Sequence, residues 1–363
     1  MIVPCNLLLI FISMGKMNNL VSIITPSYNC GSYVHRLLNS VLNQTYKNIE
    51  MVVVDDGSTD DTTNIVLPYI EKFHETGKKL QYIFKENEGA ISAINTGLKL
   101  IAGEYLVWPD ADDWYATDDA IEQLVFTFEN SSDDVGFVRG MQYILDENTL
   151  EIARKRGDEH REYPDNLFEY CLSMKASEGL WWFTPGVFMI KTKHLFDSYP
   201  DKNIYSGKEG YGGGQNRPLL LPSLYGYKSI TVKKFMYNVL SRKNSVSMKS
   251  RSYDFFMNKR LAFEEDSMKS SILSLKKMSY NDKMQYIKQI SILIDERRFL
   301  LAFRFKQKQD CSKYYNKILS EDREKAHAYR YRLRYLFSQV FCGFLICKLL
   351  NFMRYKISNL MKK

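Results

Sequence analysis

From residue 20 onward, short apolar runs alternate with stretches whose apolar residues recur at helical spacing. Residues 20–25 (LVSIIT) are a nearly continuous apolar run ending at Pro26, the pattern of a strand buried on both faces. Val34, Leu37, Leu38, Val41 and Leu42 then fall three and four apart and predict a helix within 31–44. Residues 49–54 (IEMVVV) predict a second strand, 62–73 a helix, 80–84 a third strand, 90–101 a helix and 104–108 a fourth strand. Strands alternating with helices across short connections predict a parallel sheet covered on both faces. Such sheets bind ligands beyond the carboxyl ends of their strands. Three polar clusters fall at those ends: Pro26-Ser27-Tyr28-Asn29, Asp55-Asp56-Gly57-Ser58 and Asp110-Ala111-Asp112-Asp113.

Further along, the pattern predicts a helix over 118–130, a strand over 135–144, a turn at 146–148, a polar excursion over 151–170, a strand over 187–190 and a helix starting at 193. Residues 207–222 are Gly-rich and then apolar. Past residue 250 Gly and Pro almost vanish, and helices are predicted near 254–276 and 281–307. No internal repeat interrupts this order. The expected organisation is an N-terminal extension over 1–19, an α/β domain over 20–248 with halves 20–130 and 131–248, a helical region over 249–330 and a tail helix over 331–363.

Composition narrows the picture. The 363 residues are 45% hydrophobic and 25% charged, a globular balance able to build an ordinary core. Six scattered cysteines with no CxxC argue against a disulfide scaffold or a structural zinc site and fit reduced thiols in a cytosol. The net charge of +8 is uneven: residues 1–250 carry 25 basic and 31 acidic residues, and 251–363 carry 25 and 11. The surplus is densest over 323–363, where ten Lys and Arg face a single acid, Glu324. Inside that stretch residues 335–347 (YLFSQVFCGFLIC) are uncharged, shorter than the ~20 residues a spanning helix needs, and flanked by basic residues. An apolar segment ringed by Lys and Arg suits an anionic bilayer surface, and a helix packed on the domain is the alternative. No nucleic-acid-binding motif accompanies the charge, so nucleic acid is not expected as a partner. The apolar residues 2–12 lack the preceding basic residues of a signal peptide and are too short to span. Residues 1–16 read either as an extension ahead of a start at Met17 or as a weak membrane anchor.

The clusters carry chemistry. Asp110 and Asp112, two residues apart at a strand exit, can share a hard divalent cation, Mg²⁺ or Mn²⁺, that keeps places for phosphate oxygens; capping of the next helix is the alternative. Tyr28 can stack on a base, or simply pack. Asp55 and Asp56 can accept from an imide N–H or a ribose hydroxyl, or close their own turn.

The segments VSIITPSYNCGSYVHRLLNSVLNQTYKNIEMVVVDDGSTDDT and NEGAISAINTGLKLIAGEYLVWPDADDW resemble the inverting family-2 glycosyltransferases of GT-A fold, densely over 20–130 and loosely to about 240. The resemblance implies that Pro26 and Tyr28 border a nucleobase held by Asp56 or Asp55. It implies that Asn87 and Gly89 line the donor loop, that Asp110 approaches the ribose and that Asp112 ligates the metal. The donor implied is a nucleotide diphospho-sugar, most often UDP-linked. Two departures stand out. Ala93-Ile94-Asn95 replaces a frequent Ala-Arg-Asn, and Gly213-Gly214-Gln215-Asn216 stands where the family usually has an acidic pair holding the catalytic base. Gln215 and Asn216 can orient a hydroxyl but cannot deprotonate it. Glu209 is then the candidate base, with Glu178 and Asp201 as rivals. Trp181 and Trp182 are candidate acceptor platforms or core residues, and the stretch from Arg242 to Ser247 resembles a loop that closes over the diphosphate. The expected activity is metal-dependent inverting transfer to a saccharide acceptor, expected to be lipid-linked, in bacterial surface polysaccharide biosynthesis. The protein is expected to be cytoplasmic and docked on the inner face of the cell membrane. A catalytically impaired sugar- or nucleotide-binding protein on the same fold is the alternative.

Overall fold

Val21–Ser27 (β1) runs through the centre of the sheet with its apolar side chains buried on both faces. The structure, a computed structural model, describes residues 19–173, 179–204, 214–242 and 252–327, with Arg332, Arg334, Tyr335 and Ser338 beyond them. The chain divides into two units, one within 1–249 and 270–279 and the other within 250–269 and 280–363.

In the first unit β1 is followed by α1 (Val34–Leu42), β2 (Ile49–Asp55), α2 (Thr62–Val66), α3 (Tyr69–Glu75), β3 (Lys79–Phe84), α4 (Ala90–Leu100) and β4 (Tyr105–Val107). β1 pairs in parallel with β2 and β4, and β2 with β3, so this half has the order β3-β2-β1-β4. Register places Val21 opposite Ile49 and Tyr105, which brings the exits of β1 and β2 side by side at Ser27 and Asp55. The helix expected over 62–73 is two helices. Pro68 has no N–H to donate, so α2 ends at Val66 and α3 begins after the proline.

Beyond β4 come β5 (Trp114–Tyr115), α5 (Ala120–Glu129), β6 (Val135–Asp146), β7 (Ile152–Arg156), α6 (Phe168–Ser173), β8 (Phe188–Lys191), α7 (Thr192–Ser198), α8 (Asn216–Leu224) and β9 (Lys228–Ser241). β8 lies antiparallel between β4 and β6, β6 pairs in parallel with β9, and β9 carries β5 antiparallel. The expected parallel sheet is thus parallel over its first half and mixed over its second. β7 forms a hairpin with β6 inside the stretch expected to be a polar excursion. Four of its five residues are exposed, so it has no buried alternation to read. β9 also escapes the pattern: Lys233 and Lys234 break its alternation, and they pair with Glu162 and Asp119. A short turn over Pro185–Val187 brings Gly186 so close to β9 that a Cβ there would overlap the Tyr237 ring.

The second unit is helical. A π-helical turn over Phe255–Arg260 leads into α9 (Leu261–Ser274), whose last residues belong to the first unit. α10 (Tyr280–Arg304), α11 (Lys308–Glu321) and α12 (Arg323–His327) follow. Inside this unit Arg297 pairs with Glu264, Arg298 with Glu265 and Asp295, and Lys317 with Asp295. Among the described residues no helix is long and apolar enough to cross a membrane. The extension over 1–16 and nearly all of the tail lie outside the described residues.

The end of the sheet opposite the polar clusters is fastened by Glu50. Its buried carboxylate accepts from Ser22 Oγ at 2.6 Å, Ala102 N at 2.6 Å and Gly103 N at 3.1 Å. Removing it takes the acceptor from Ala102 N and from the Ser22 hydroxyl and leaves Gly103 N with Ser22 Oγ alone. Glu50→Ala is expected to lower the unfolding free energy by ~2–4 kcal/mol in urea titrations, and a loss under ~0.5 kcal/mol would contradict this assignment.

Candidate active site

The loops after β1 and β2 are hydrogen-bonded into one surface. Asn29 adopts φ 50°, and its Oδ1 accepts from Thr59 N at 2.8 Å and Asp60 N at 3.3 Å. Asn29 N donates in return to Ser58 Oγ at 2.8 Å. Asp60 receives Gly31 N at 2.9 Å together with Thr62 N. Burial pushes the Asp60 carboxyl upward, but these bonds outweigh it and hold the group below its usual range. On this surface Tyr28 is 52% exposed beside the half-buried Pro26, which leaves its ring free to stack.

The two acids after β2 do different things. Asp55 is buried and accepts from Ser58 N at 2.7 Å and from the Tyr82 hydroxyl at 2.6 Å, so it closes its own turn. Asp56 reaches across to the loop before α4. Its carboxylate accepts Glu88 N at 3.0 Å, Gly89 N at 2.7 Å and Lys85 Nζ at 3.2 Å. Gly57, at φ +79°, lets that loop approach: a Cβ would sit 3.0 Å from Asn87 N. Pro26, Tyr28, Asp55, Asp56, Asn87 and Gly89 are therefore brought to one edge, with Asp56 as its clasp. Asn95 lies outside that group. Its side chain clasps the backbone of Ile204 through bonds of 2.9 and 3.1 Å.

The acidic turn follows β4. Trp108 is fully buried, and its indole N–H donates to Asn216 Oδ1 at 2.9 Å, which brings the start of α8 beside the turn. Asp113 N bonds Asp110 O at 3.2 Å, and the buried Asp113 carboxylate accepts Leu240 N of β9 at 2.9 Å. Asp112 is ion-paired with Arg242, just past the end of β9, and that guanidinium lies 4.8 Å over the Tyr33 ring. The rest of the expected closing loop, 243–247, lies outside the described residues. Three carboxylates share one poorly hydrated turn. Burial first, and the Asp112 charge second, push Asp110 up to about 7. Burial and the neighbouring acids push Asp113 well above the carboxylate range. Burial also pushes the nearby Cys30 thiol up to about 11, against the opposing bond to Tyr28 and with a contribution from Asp112. Among the described residues no three His, Cys, Asp or Glu side chains are grouped to hold a metal by themselves.

Gln215 is buried next to Asn216, and its Oε1 has no partner among the described residues. Glu209 and Glu178 lie outside the described residues. Asp201 is exposed and accepts Asn203 N at 3.3 Å within its own turn. Trp181 and Trp182 are buried, only 3% and 4% exposed. Trp182 lies against the Arg139 guanidinium, 3.9 Å from its ring centre, and Trp181 packs among Phe137, Phe183 and Phe188. Both stand in the wall of a cavity of about 600 Å³. Arg139 donates to Leu180 O at 2.7 Å and Thr231 Oγ1 at 3.0 Å, and burial lowers it to about 9. Sequence reasoning missed this residue, although a lone Arg inside the apolar run VGFVRGMQYIL was a usable signal. It also missed Asp113 as the anchor of the turn, because nothing in the sequence pairs it with Leu240.

Residues 22–189 match the profile of the family described as Glycosyl transferase family 2. An uncharacterised glycosyltransferase of Rickettsia prowazekii is 48% identical over 96 residues, 26% of this chain and 28% of that protein. A Bacillus subtilis glycosyltransferase named for teichuronic acid biosynthesis, TuaG, is 41% identical over 113 residues, 31% of this chain and 43% of its own length. Both matches span less than half of the relative. S. aureus TarS 1–349, solved with UDP-GlcNAc, superposes at a TM-score of 0.60 and 18% identity over 88% of this chain and 89% of that chain, a likeness of fold. The expected GT-A architecture, with a helical region after it, is the one found.

The raised Asp110 gives a pH signature for the metal-free protein. The folded group keeps its proton to about pH 7, and the unfolded group releases it near 3.8. Between those values the folded state binds more protons, so stability falls as pH rises. In chelator at pH 8, Asp110→Asn should therefore be more stable than wild type by on the order of 2 kcal/mol, with the gap closing toward pH 4. An Asn variant no more stable than wild type at pH 8 would show that the turn does not strain its acids.

Proposed function

We propose, for a chain whose residues 22–189 match the profile of glycosyl transferase family 2, that it transfers a sugar from a nucleotide diphospho-sugar, of the UDP-linked class, to a saccharide hydroxyl with inversion and with the help of Mg²⁺ or Mn²⁺. The observation that carries this reading is the acidic turn at the exit of β4, whose Asp112 is held by a cationic side chain, Arg242. Two carboxylates, Asp110 and Asp112, with no three-residue ligand cluster among the described residues, fit a hard cation that completes its coordination with phosphate oxygens and water. The burial that pushes Asp110 upward favours a positive partner beside it, and Asp112 already holds a guanidinium. When bound there, the cation supplies charge neutralisation of the departing diphosphate.

The other roles belong to this chain's own side chains. Tyr28 and Pro26 border the base, and Asp56 fixes the Glu88–Gly89 backbone against which the nucleotide lies. Arg242, released from Asp112, is placed to meet diphosphate oxygens with its planar fork of donors. Asn216, oriented by Trp108, and Gln215, whose Oε1 has no partner among the described residues, position the acceptor hydroxyl. Neither can take its proton, and Glu209 is the carboxylate we assign to that step. The acceptor is a lipid-linked saccharide of a bacterial surface polysaccharide, reached at the inner face of the membrane through the basic residues of the tail. The relative named for teichuronic acid biosynthesis supports a cell-surface polymer as the product. The amide pair Gln215-Asn216 in place of an acidic pair favours the second reading, a binding protein that has lost turnover.

Hydrolysis of a panel of nucleotide sugars decides between these readings. Wild type should release the nucleotide diphosphate in Mn²⁺ and stop in EDTA, and Asp112→Asn should lower kcat/KM at least ~100-fold. Turnover indifferent to EDTA and to Asp112→Asn would overturn the metal assignment, and no turnover with any donor would favour the binding protein.

A further inference from the structure

The cavity of about 600 Å³ lined by residues within 154–183 has a composition that the donor chemistry does not use. Its size is that of a small-molecule site, ~300–1,000 Å³. Arg154, Lys155, Arg156 and Arg161 line it, against one carboxylate, Asp158. This concentration of positive charge sits in a stretch, residues 1–250, where acids outnumber bases. The single acid is engaged in its own turn, since Asp158 Oδ1 accepts His160 N at 3.0 Å. Among the described residues Arg154, Lys155 and Arg156 make no ion pair with any carboxylate. Arg154 and Arg156 stand opposite Ile144 and Gln142 of β6, two residues apart on one face of β7. Lys155 is steadied 4.9 Å over the Phe235 ring. Arg156 is half-buried, and burial lowers its pKa first of all; a half-buried guanidinium with no anion paired to it has donors to offer a ligand.

Two further features define what would enter. The walls are aromatic: Tyr163 and Phe183 are only partly buried, with Trp181 and Trp182 behind them. The apolar face of a sugar ring packs on such surfaces. Strand register ties the cavity to the acidic turn: Arg156 stands opposite Gln142 of β6, Gln142 opposite Tyr237 of β9, and Tyr237 opposite Tyr115 of β5, two residues after Asp113. We propose that this cavity is the acceptor subsite and that it selects a saccharide carrying an anionic substituent, a phosphate or a carboxylate, which Arg154 and Arg156 grip while the ring lies on Tyr163 and Phe183. The proposal rests on the glycosyltransferase reading above and adds the charge class of the acceptor to it.

Calorimetric titration of the full chain tests it with ligands of known chemistry. UDP with Mn²⁺ reports the donor reading. Glucose 6-phosphate, glucuronate, glucose and inorganic phosphate report the cavity. The expected result is that glucose 6-phosphate or glucuronate binds at least tenfold more tightly than glucose and than inorganic phosphate, and the tighter of the two identifies the substituent. In the Arg154→Ala/Arg156→Ala variant that preference should fall to under threefold, with glucose affinity as the internal measure of an intact cavity. Equal affinities for charged and neutral sugars, or for sugar phosphate and inorganic phosphate, would overturn the proposal, and the wild-type titrations decide this even if the variant does not fold. Sugar binding without UDP binding would leave an anionic-sugar cavity and overturn its role as an acceptor subsite.

Discussion

Three carboxylates held in one poorly hydrated turn are the constraint around which the first unit is arranged. Charged groups removed from water are costly unless each gains a partner or gives up its charge. The turn after β4 uses every remedy. Asp113 takes the Leu240 amide, Asp112 takes Arg242, and Asp110 is pushed toward its protonated form. Two of these remedies reach across to β9 and its end, so a strand from the second half of the sheet is what makes the acidic turn tenable.

The rest of the edge is built to hold still around that turn. Asp56 clasps the loop before α4, Asn29 locks the loops after β1 and β2, and Trp108 fixes Asn216. Behind them Glu50 fastens the opposite end of the sheet. Loops tied to a rigid scaffold at several points can present polar groups with little cost in ordering on ligand binding. Arg242 is the exception. It is anchored to the turn by a charge pair and by the Tyr33 ring, both of which a stronger positive partner at Asp112 can displace.

The parallel half was legible because its signals are local. Apolar runs such as Ile49–Asp55 end in their own polar cluster, and Val34 to Leu42 repeats at helical spacing. Only Pro68 divided what read as one helix. The second half was harder, because its elements are set by partners far away in sequence. β7 is held by the β6 ladder with its side chains exposed, and β9 carries lysines paired to distant acids. In the site, the positions of Asp110, Asp112, Asn87 and Gly89 at strand exits could be read directly. The clasp role of Asp56 could not, since it depends on backbone donors. The two tryptophans could be read as a platform or as core, and their buried faces lie against Arg139 and a cluster of phenylalanines.

The charge asymmetry of the chain is also resolved in part. Within the second unit Arg297, Arg298 and Lys317 are consumed by Glu264, Glu265 and Asp295, which leaves the excess concentrated toward the C-terminal residues. In the first unit the informative charge is local: acids at the β4 exit and a basic cavity lined by β7 and the residues that follow it. On the proposed reading the acidic turn is a divalent-cation site whose place Arg242 holds, and that makes a direct demand on metal binding. Mn²⁺ binding followed by electron paramagnetic resonance at pH 8 in the presence of UDP tests it. One bound ion in wild type, abolished by Asp112→Asn, is the predicted result. Binding unchanged by Asp112→Asn, or no bound ion in wild type, would contradict it.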